Sequence, residues 1–297
     1  MKSEEKRMKI QKSYDAAEAE RGKLYLVPTP IGNLEDMTFR AIRLLKEVDL
    51  IACEDTRMTQ KLLNHFEIDT PKTSYHEHNL HNKTQELVQQ LIAGQNIAQV
   101  SDAGMPSISD PGVELVEAAI AANVPVIPLP GANAATTALI ASGISPQPFT
   151  FYGFLSRKKA ELKAELTELN QQEETLIFYE SPHRLKDMLT TLVDIFGAER
   201  QLVLAREMTK RYEEFVRGTA KEALDWALET ELRGEFVVIV AGNDQIKEEI
   251  YWEDWTVLEH IDYKISFEKM SSKQAIKEVA KERELPKREV YAAYHKD

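Results

Sequence analysis

Short apolar runs alternate with helical patterns along most of the chain, and this alternation predicts a fold before any single residue does. Leu24–Pro28 (LYLVP) reads as a strand, and Phe39–Val48 places Ile42, Leu44, Leu45 and Val48 at the spacing of an amphipathic helix. Asp49–Cys53, Ile97–Ser101 and Val124–Pro128 read as further strands, with helices over Met58–Phe66, Pro111–Ala122 and Asn133–Ser142. These strands are apolar almost throughout, which predicts a parallel sheet covered on both faces. Ligands of such sheets bind beyond the carboxyl ends of the strands.

A Pro-rich break at Ser145–Phe149 (SPQPF) predicts a boundary. Strands then follow at Phe149–Phe154, Thr175–Glu180, Gln201–Arg206, Glu214–Arg217 and Glu235–Ala241. Between them lie helices at Lys158–Asn170 and Pro182–Phe196, the latter with Ser181 as its N-cap. Another helix opens on a Thr219/Glu222 capping box and runs to about Thr230. Beyond residue 245 the texture is acidic and aromatic (Tyr251, Trp252, Trp255) before two helical patterns, Ser271–Glu284 and Pro286–His295. Ala275, Ile276, Val279 and Ala280 form one apolar face on which Leu285, Val290, Tyr291 and Tyr294 close. A helix pair with a tight Leu-Pro turn resembles a helix-turn-helix, and a plain packing or dimerisation hairpin has the same pattern. The expected division is a charged segment at 1–22, αβα domains at 23–146 and 147–244, and a helical extension at 245–297.

Composition narrows the class. The 297 residues are 43% hydrophobic and 29% charged, an ordinary globular balance. No apolar run approaches the roughly 20 residues that span a bilayer, and the charged N-terminus lacks the apolar stretch of a secretory signal. The single cysteine, Cys53, excludes an intramolecular disulfide and a multi-cysteine zinc site. A cytoplasmic protein is expected. The net charge of −12 argues against tight non-specific nucleic-acid binding, although Tyr263–Asp297 carries +3 by itself.

Three loops follow predicted strands on the ligand edge of the first sheet. Pro28–Asn33 (PTPIGN) has two stiffening prolines and Gly32, where a backbone can approach a partner closely; ordinary turn chemistry is the alternative. Ser101–Gly112 (SDAGMPSISDPG) is longer than the usual connection of about 2–6 residues, and long ordered loops tend to be functional. Within it Asp110 precedes Pro111 as a helix cap, whereas Asp102 has no local role and is free to meet ribose hydroxyls or a cation. Pro130–Ala134 (PGANA) leads into a helix of small residues that suits either a ligand or tight packing. Phosphate-binding and dinucleotide glycine motifs are absent, and His76, His78 and His81 lack partners at metal-ligand spacing. Charged clusters at Glu54, Asp55 and Arg57, at Glu180, His183 and Arg184, and at Arg206, Glu207 and Lys210 could bind phosphates or simply pair among themselves.

In this order LYLVPTPIGNLEDMTFRA, CEDTR, SDAGMPSISDPG, PGANA, FYESPHRL and GEFVVIVAG resemble the ribosomal RNA small subunit methyltransferase I family, within the tetrapyrrole methylase superfamily. The resemblance covers Leu24 to about Asn243, and the tail is similar to that family's helix-turn-helix extension. Ser101-Asp102-Ala103 stands where many superfamily members carry Gly-Asp-Pro, which points away from porphyrinoid substrates. The resemblance implies two αβα domains, a homodimer, and S-adenosylmethionine in the cleft between the domains. By motif position the cofactor residues would be Pro30, Gly32, Asp102, Ala103, Gly104, Met105, Ile108, Gly131, Ala132, Asn133 and Ala134. It implies 2′-O-methylation of a cytidine ribose in small-subunit RNA, and no metal. The proton acceptor is sought among Glu54, Asp55, Glu180, His183 and Glu207, with Arg57, Arg184 and Arg206 on the RNA backbone. A methylase acting on a tetrapyrrole or a protein side chain would have a closed apolar cleft, whereas the RNA-methylating reading predicts an open basic one. A ligand-sensing DNA-binding regulator would read bases from the tail helices.

Overall fold

The computed structural model describes residues 11, 21–244, 252 and 254–295. Apart from Gln11, Arg21 and Gly22, the charged segment 1–22 lies outside the described residues. Met1–Asp244 forms one compact unit and Gln245–Asp297 another.

The first sheet is wholly parallel. Its strands β1 (Leu24–Leu26), β2 (Leu50–Cys53), β3 (Lys72–Ser74), β4 (Ile97–Val100) and β5 (Val126–Pro128) lie in the order β3-β2-β4-β1-β5. Successive residues of a strand face opposite ways, so a strand buried on both faces is apolar throughout. Helices α1 (Phe39–Glu47) and α2 (Thr56–His65) cover one face, where Leu44, Leu45 and Leu63 meet Ile51, Ala98 and Val100. Helices α3 (Leu80–Ile92) and α4 (Val113–Ala121) cover the other, where Leu87, Leu91 and Leu115 meet Leu24, Ala52 and Ile97. Neither β3 nor α3 was expected. The edge strand β3 is a half-buried Lys-Thr-Ser with no apolar signal, and α3 opens among the polar residues that read as a His-rich loop.

The second sheet departs from a purely parallel pattern. Its strands are β6 (Phe149–Gly153), β7 (Thr175–Glu180), β8 (Gln201–Arg206), β9 (Glu214–Thr219) and β10 (Phe236–Val240). They lie in the order β6-β7-β10-β8-β9, with only β6 and β7 parallel. Helices α6 (Lys159–Leu169), α7 (Leu185–Phe196) and α8 (Ala220–Glu229) pack on the face formed by Leu176, Phe178, Leu204 and Val238. The Thr219/Glu222 capping box closes as expected. Ser181 does not cap α7, which starts later, at Leu185. The backbone N–H of Ser181 donates instead to Glu180 Oε1 at 2.8 Å, and the chain turns through residues 181–184 first.

The opposite face of this second sheet is covered by α5 (Ala134–Ser142), which follows β5 of the first sheet in sequence. Ala135, Ala138 and Leu139 seat against Ile177, Val203, Ala205, Val237 and Ile239. The Tyr179 hydroxyl accepts a hydrogen bond from Ala135 N–H at 3.2 Å. The small residues of α5 thus serve close packing on the sheet.

Among its described residues the second unit contains three helices where two were expected. Besides α10 (Ser272–Glu282) and α11 (Lys287–Tyr294), α9 (Val257–Ser266) contributes Ile261 to a core with Ala275, Ile276, Val279 and Val290. Tyr291, expected to close that core, is exposed. His260, fully buried, is 3.1 Å from Glu282 and accepts a hydrogen bond from Arg283 at Nδ1, while Trp252 stacks on its ring.

A side chain larger than alanine at position 138 has no room between α5 and the sheet. Ala138→Phe is expected to lower stability by about 1–3 kcal/mol, the usual cost of overpacking, read as a lower urea midpoint with an unchanged slope.

Candidate functional site

The three loops meet at the carboxyl edge of the first sheet because hydrogen bonds tie them together. Thr29 and Gly104 exchange backbone bonds of 2.9 and 3.0 Å, and Ser101 Oγ donates to Gly104 O at 3.0 Å. Gly104 has φ +80°, a conformation that side-chain-bearing residues rarely adopt. Gln99 Nε2 reaches Ser107 Oγ at 3.3 Å and holds the far end of the long loop. Asn133 caps α5 by accepting from Thr136 N–H at 3.0 Å. Not every glycine here faces a ligand. A Cβ on Gly131 would lie 2.5 Å from Pro28, and one on Gly32 would meet the Lys210 side chain. These two glycines permit contacts within the protein.

Between the loops and the second sheet lies a cleft of about 400 Å³. Of the expected cofactor residues, Ala103, Gly104, Met105, Ile108, Asn133 and Ala134 line it. Pro30, Gly32 and Asp102 line a separate cavity of about 220 Å³, and Gly131 and Ala132 border neither. The second sheet adds Tyr179, Met208, Phe236 and Val237, with Ile31 and Phe154 completing apolar walls. Sequence reading missed these additions, because apolar residues at strand ends look like ordinary core. A cleft of this size lies within the roughly 300–1,000 Å³ of small-molecule sites. Its size and apolar walls fit a nucleoside bearing a thioether chain.

The proposed acids and bases sort by their neighbours. Asp55 is the N-cap of α2 and also grips Arg57 at 2.7 Å; Arg57 holds its carboxyl down at about 2, too weak a base to take a hydroxyl proton. Burial raises the Glu207 carboxyl, but Lys210 at 2.9 Å and Glu235 N–H at 3.1 Å outweigh it and hold the group ionised. His183 is exposed and does not border the cleft. Glu54 also lies outside the lining, its carboxyl raised by burial and by Asp110 and Asp102. Glu180 does line the cleft; it is buried, raised by that burial, and its Oε2 has no hydrogen bond.

Asp110 corrects the sequence reading most clearly. It does not cap α4, whose N-cap is Gly112. Instead it lines the cleft, its carboxyl raised to about 6 by burial and then by the charge of Asp102. Nor does Asp102 lack a local role, since its Oδ1 accepts from Asp55 N–H at 3.1 Å.

The expected phosphate-binding cations are engaged within the protein. Arg184 donates to the carbonyls of Leu155 and Ser156 at 3.0 and 2.8 Å and lies 3.5 Å from Glu180. Arg206 donates to Arg233 O and pairs with Glu214. Lys210 bridges Glu207 and Glu235. Strand-end carbonyls and carboxylates lie within reach of each cation and hold it in place. The cleft is therefore apolar and acidic, with Lys210 neutralised by its two carboxylates, and not the open basic cleft expected for an RNA substrate. Cys53 is buried, and that burial raises its thiol. Among the described residues, no three His, Cys, Asp or Glu side chains are grouped to hold a metal ion.

This fold and site define a class. The family of tetrapyrrole (corrin/porphyrin) methylases matches residues 23–224. Solved structures share the fold: uroporphyrin-III-C-methyltransferase from Thermus thermophilus has a TM-score of 0.53 at 21% identity, covering 75% of this chain and 95% of that one. The methyltransferase CobJ has a TM-score of 0.57 at 18% identity, covering 74% and 94%. Another structure of the Thermus protein is complexed with S-adenyl homocysteine. Closer relatives are the ribosomal RNA small subunit methyltransferase I of Bacillus subtilis and that of Halalkalibacterium halodurans. The first is 56% identical, covering 93% of this chain and 95% of the relative; the second is 54% identical, covering 98% and 100%. The chain belongs to the ribosomal RNA small subunit methyltransferase I family within the tetrapyrrole methylases.

Asp110 links the site to stability. Between about pH 4 and 6 the folded protein holds a proton there that the unfolded chain releases, so stability falls as pH rises through about 6. Asp110→Asn removes this dependence. The variant is expected to gain about 1 kcal/mol at pH 8, allowing for partial exposure, and little at pH 4, measured by urea denaturation at both values.

Proposed function

We propose that this protein transfers a methyl group from S-adenosylmethionine to the ribose 2′-hydroxyl of a cytidine in small-subunit ribosomal RNA. The observation that carries the reading is 56% identity over nearly the whole chain to a ribosomal RNA small subunit methyltransferase I. In this reading 23–146 and 147–244 are the two αβα domains, 245–297 is an extension, and the enzyme works in the cytoplasm as a homodimer. Consistent with that location, no described helix is long and apolar enough to cross a membrane.

The main cleft supports the cofactor assignment. Ala103, Gly104 and Met105 form one wall for a nucleoside, and Ile31, Met208 and Phe236 enclose its apolar parts. Bound there, S-adenosylmethionine supplies an electrophilic methyl group. The chain must align the acceptor oxygen and take its proton, since a neutral ribose hydroxyl is a poor nucleophile. Asp110 is the proton acceptor in this reading. It lines the cleft, and its carboxyl near 6 is ionised at neutral pH yet more basic than an ordinary aspartate. Glu180 is the second reading, favoured by its buried Oε2 in the same cleft, which has no hydrogen bond and lies 3.5 Å from Arg184.

Label from S-adenosylmethionine is expected in small subunits and absent from a tetrapyrrole. Turnover should rise through about pH 6 and level off above it. Asp110→Asn is expected to lower turnover by about 100-fold or more with cofactor affinity by calorimetry kept within a few-fold. Full activity in Asp110→Asn together with loss in Glu180→Gln would transfer the role to Glu180.

A further inference from the structure

An acidic cleft gives a polyanionic substrate no seat, and the exposed cations of the first domain lie outside it. Of the three arginines expected on an RNA backbone, Arg184 and Arg206 have side chains only 27% and 18% exposed, whereas that of Arg57 is 87% exposed. Arg57 lies in the first turn of α2, and α2 shares one face of the first sheet with α1. Together these two helices carry five cations (Arg40, Arg43, Lys46, Arg57 and Lys61) and one carboxylate, Glu47. The chain as a whole has a net charge of −12, so this is a local concentration of the opposite sign.

Helical spacing arranges the cations in outward stripes. Ala41, Leu44 and Leu45 turn into the core, so Phe39, Arg43 and Lys46, at i, i+4 and i+7, share the opposite face with Arg40 beside them. On α2 Thr59 and Leu63 are buried, and Arg57 and Lys61, four residues apart, are exposed together. Arg43 is paired with Glu47 at 2.6 Å and Arg57 with Asp55 at 2.7 Å. Arg40, Lys46 and Lys61 are exposed and make no ion pair among the described residues. Phe39 is 93% exposed. Single exposed apolar residues are ordinary, but an aromatic ring among cations is what sites for single-stranded nucleic acid use. The stripes reach the ligand edge, because each helix follows a strand of a parallel sheet and starts beyond that strand's carboxyl end. Leu34, Met58 and Lys61 accordingly border the same small cavity as Pro30 and Asp102. Glu35 and Asp36, in the turn before α1, bound the basic surface with opposite charge.

We propose that the outward face of α1 and α2 docks a single-stranded stretch of ribosomal RNA beside the target nucleotide; the proposal rests on the RNA-methylating reading above. Phe39 stacks on an unpaired base, and Arg40, Lys46 and Lys61 meet phosphates. Stacking on an aromatic ring tolerates any base, and phosphate contacts position a strand without reading its sequence. The surface therefore supplies affinity and register. Repulsion between the polyanion and Asp110 and Glu180 is avoided, because the strand is held outside the cleft and only the target ribose approaches it.

Isolated small subunits test the surface with the full chain, by binding over a range of salt concentrations and by labelling. Arg40→Gln/Lys46→Gln removes two phosphate contacts and is expected to flatten the salt dependence by about 1.4, at roughly 0.7 per contact to a single strand. Lys159→Gln/Lys163→Gln on α6 removes two exposed lysines elsewhere and should leave the slope unmoved. Phe39→Ala should weaken binding by about tenfold with an unchanged slope, and Phe39→Trp should restore it. All four variants should bind cofactor by calorimetry as wild type does, which reports that they are folded. An unchanged slope in Arg40→Gln/Lys46→Gln, an unchanged affinity in Phe39→Ala, or an equal loss of slope in the α6 pair would overturn the surface and leave the RNA reading standing. A halved mass of Phe39→Ala by ultracentrifugation would mean that a second copy covers this face, and would overturn it too. A wild type that binds cofactor but labels no subunits would overturn the RNA reading, and this inference with it.

Discussion

The seating of α5 on the second sheet is the contact on which the site depends. The helix emerges from the first sheet through the 130–134 loop, yet buries Ala135, Ala138 and Leu139 against Ile177, Val203, Val237 and Ile239. Each buried methylene contributes roughly 0.8 kcal/mol, and small side chains let helix and sheet approach closely enough to exclude water. The packing brings the carboxyl-edge loops of a parallel sheet against the strand ends of a largely antiparallel one. The cleft is the space left between them, and its walls are drawn from both sheets. The bond from Ala135 N–H to Tyr179 fixes the junction where the helix starts.

Electrostatics at the cleft follow from how the strand ends satisfy themselves. Arg184, Arg206 and Lys210 lie beside carbonyls and carboxylates and bond to them in holding the loops of the second sheet. What remains in the cleft is acidic. Asp110 and Glu180 are both raised by burial, so each is kept partly against its preference for water. Carboxylates held at some cost to stability are a common mark of functional sites. The protein tolerates that cost because the surrounding loops are pinned by bonds such as Thr29–Gly104 and Gln99–Ser107.

A backbone pairing of two residues also divides the ligand edge into two spaces. The chain bends at 31–32 and at 102–103, and Gly104 has φ +80°, so side chains on either side of the bend face different spaces. Asp102 and Gly104, two positions apart in one motif, therefore border different cavities. A motif read along the sequence gives no sign of such a partition, because spacing reports the period of a strand but not which space lies on each side.

Much of the architecture was already determined by the sequence. Strands Thr175–Glu180 and Gln201–Arg206 form at the expected residues, and the capping box at Thr219 closes as its spacing requires. Local patterns suffice there because hydrophobic period and cap chemistry act within a few residues. The edge strand Lys72–Ser74 left no such trace, since its place is set by pairing with β2 and not by its own composition. The loops of the site were likewise legible as long, Gly- and Pro-rich segments, but the roles of their side chains were not. Asp55 became a cap, Asp110 left the helix for the cleft, and the arginines turned to carbonyls far away in sequence. Those outcomes depend on which groups meet across the fold, and only tertiary packing decides burial, hydrogen-bond partners and charge.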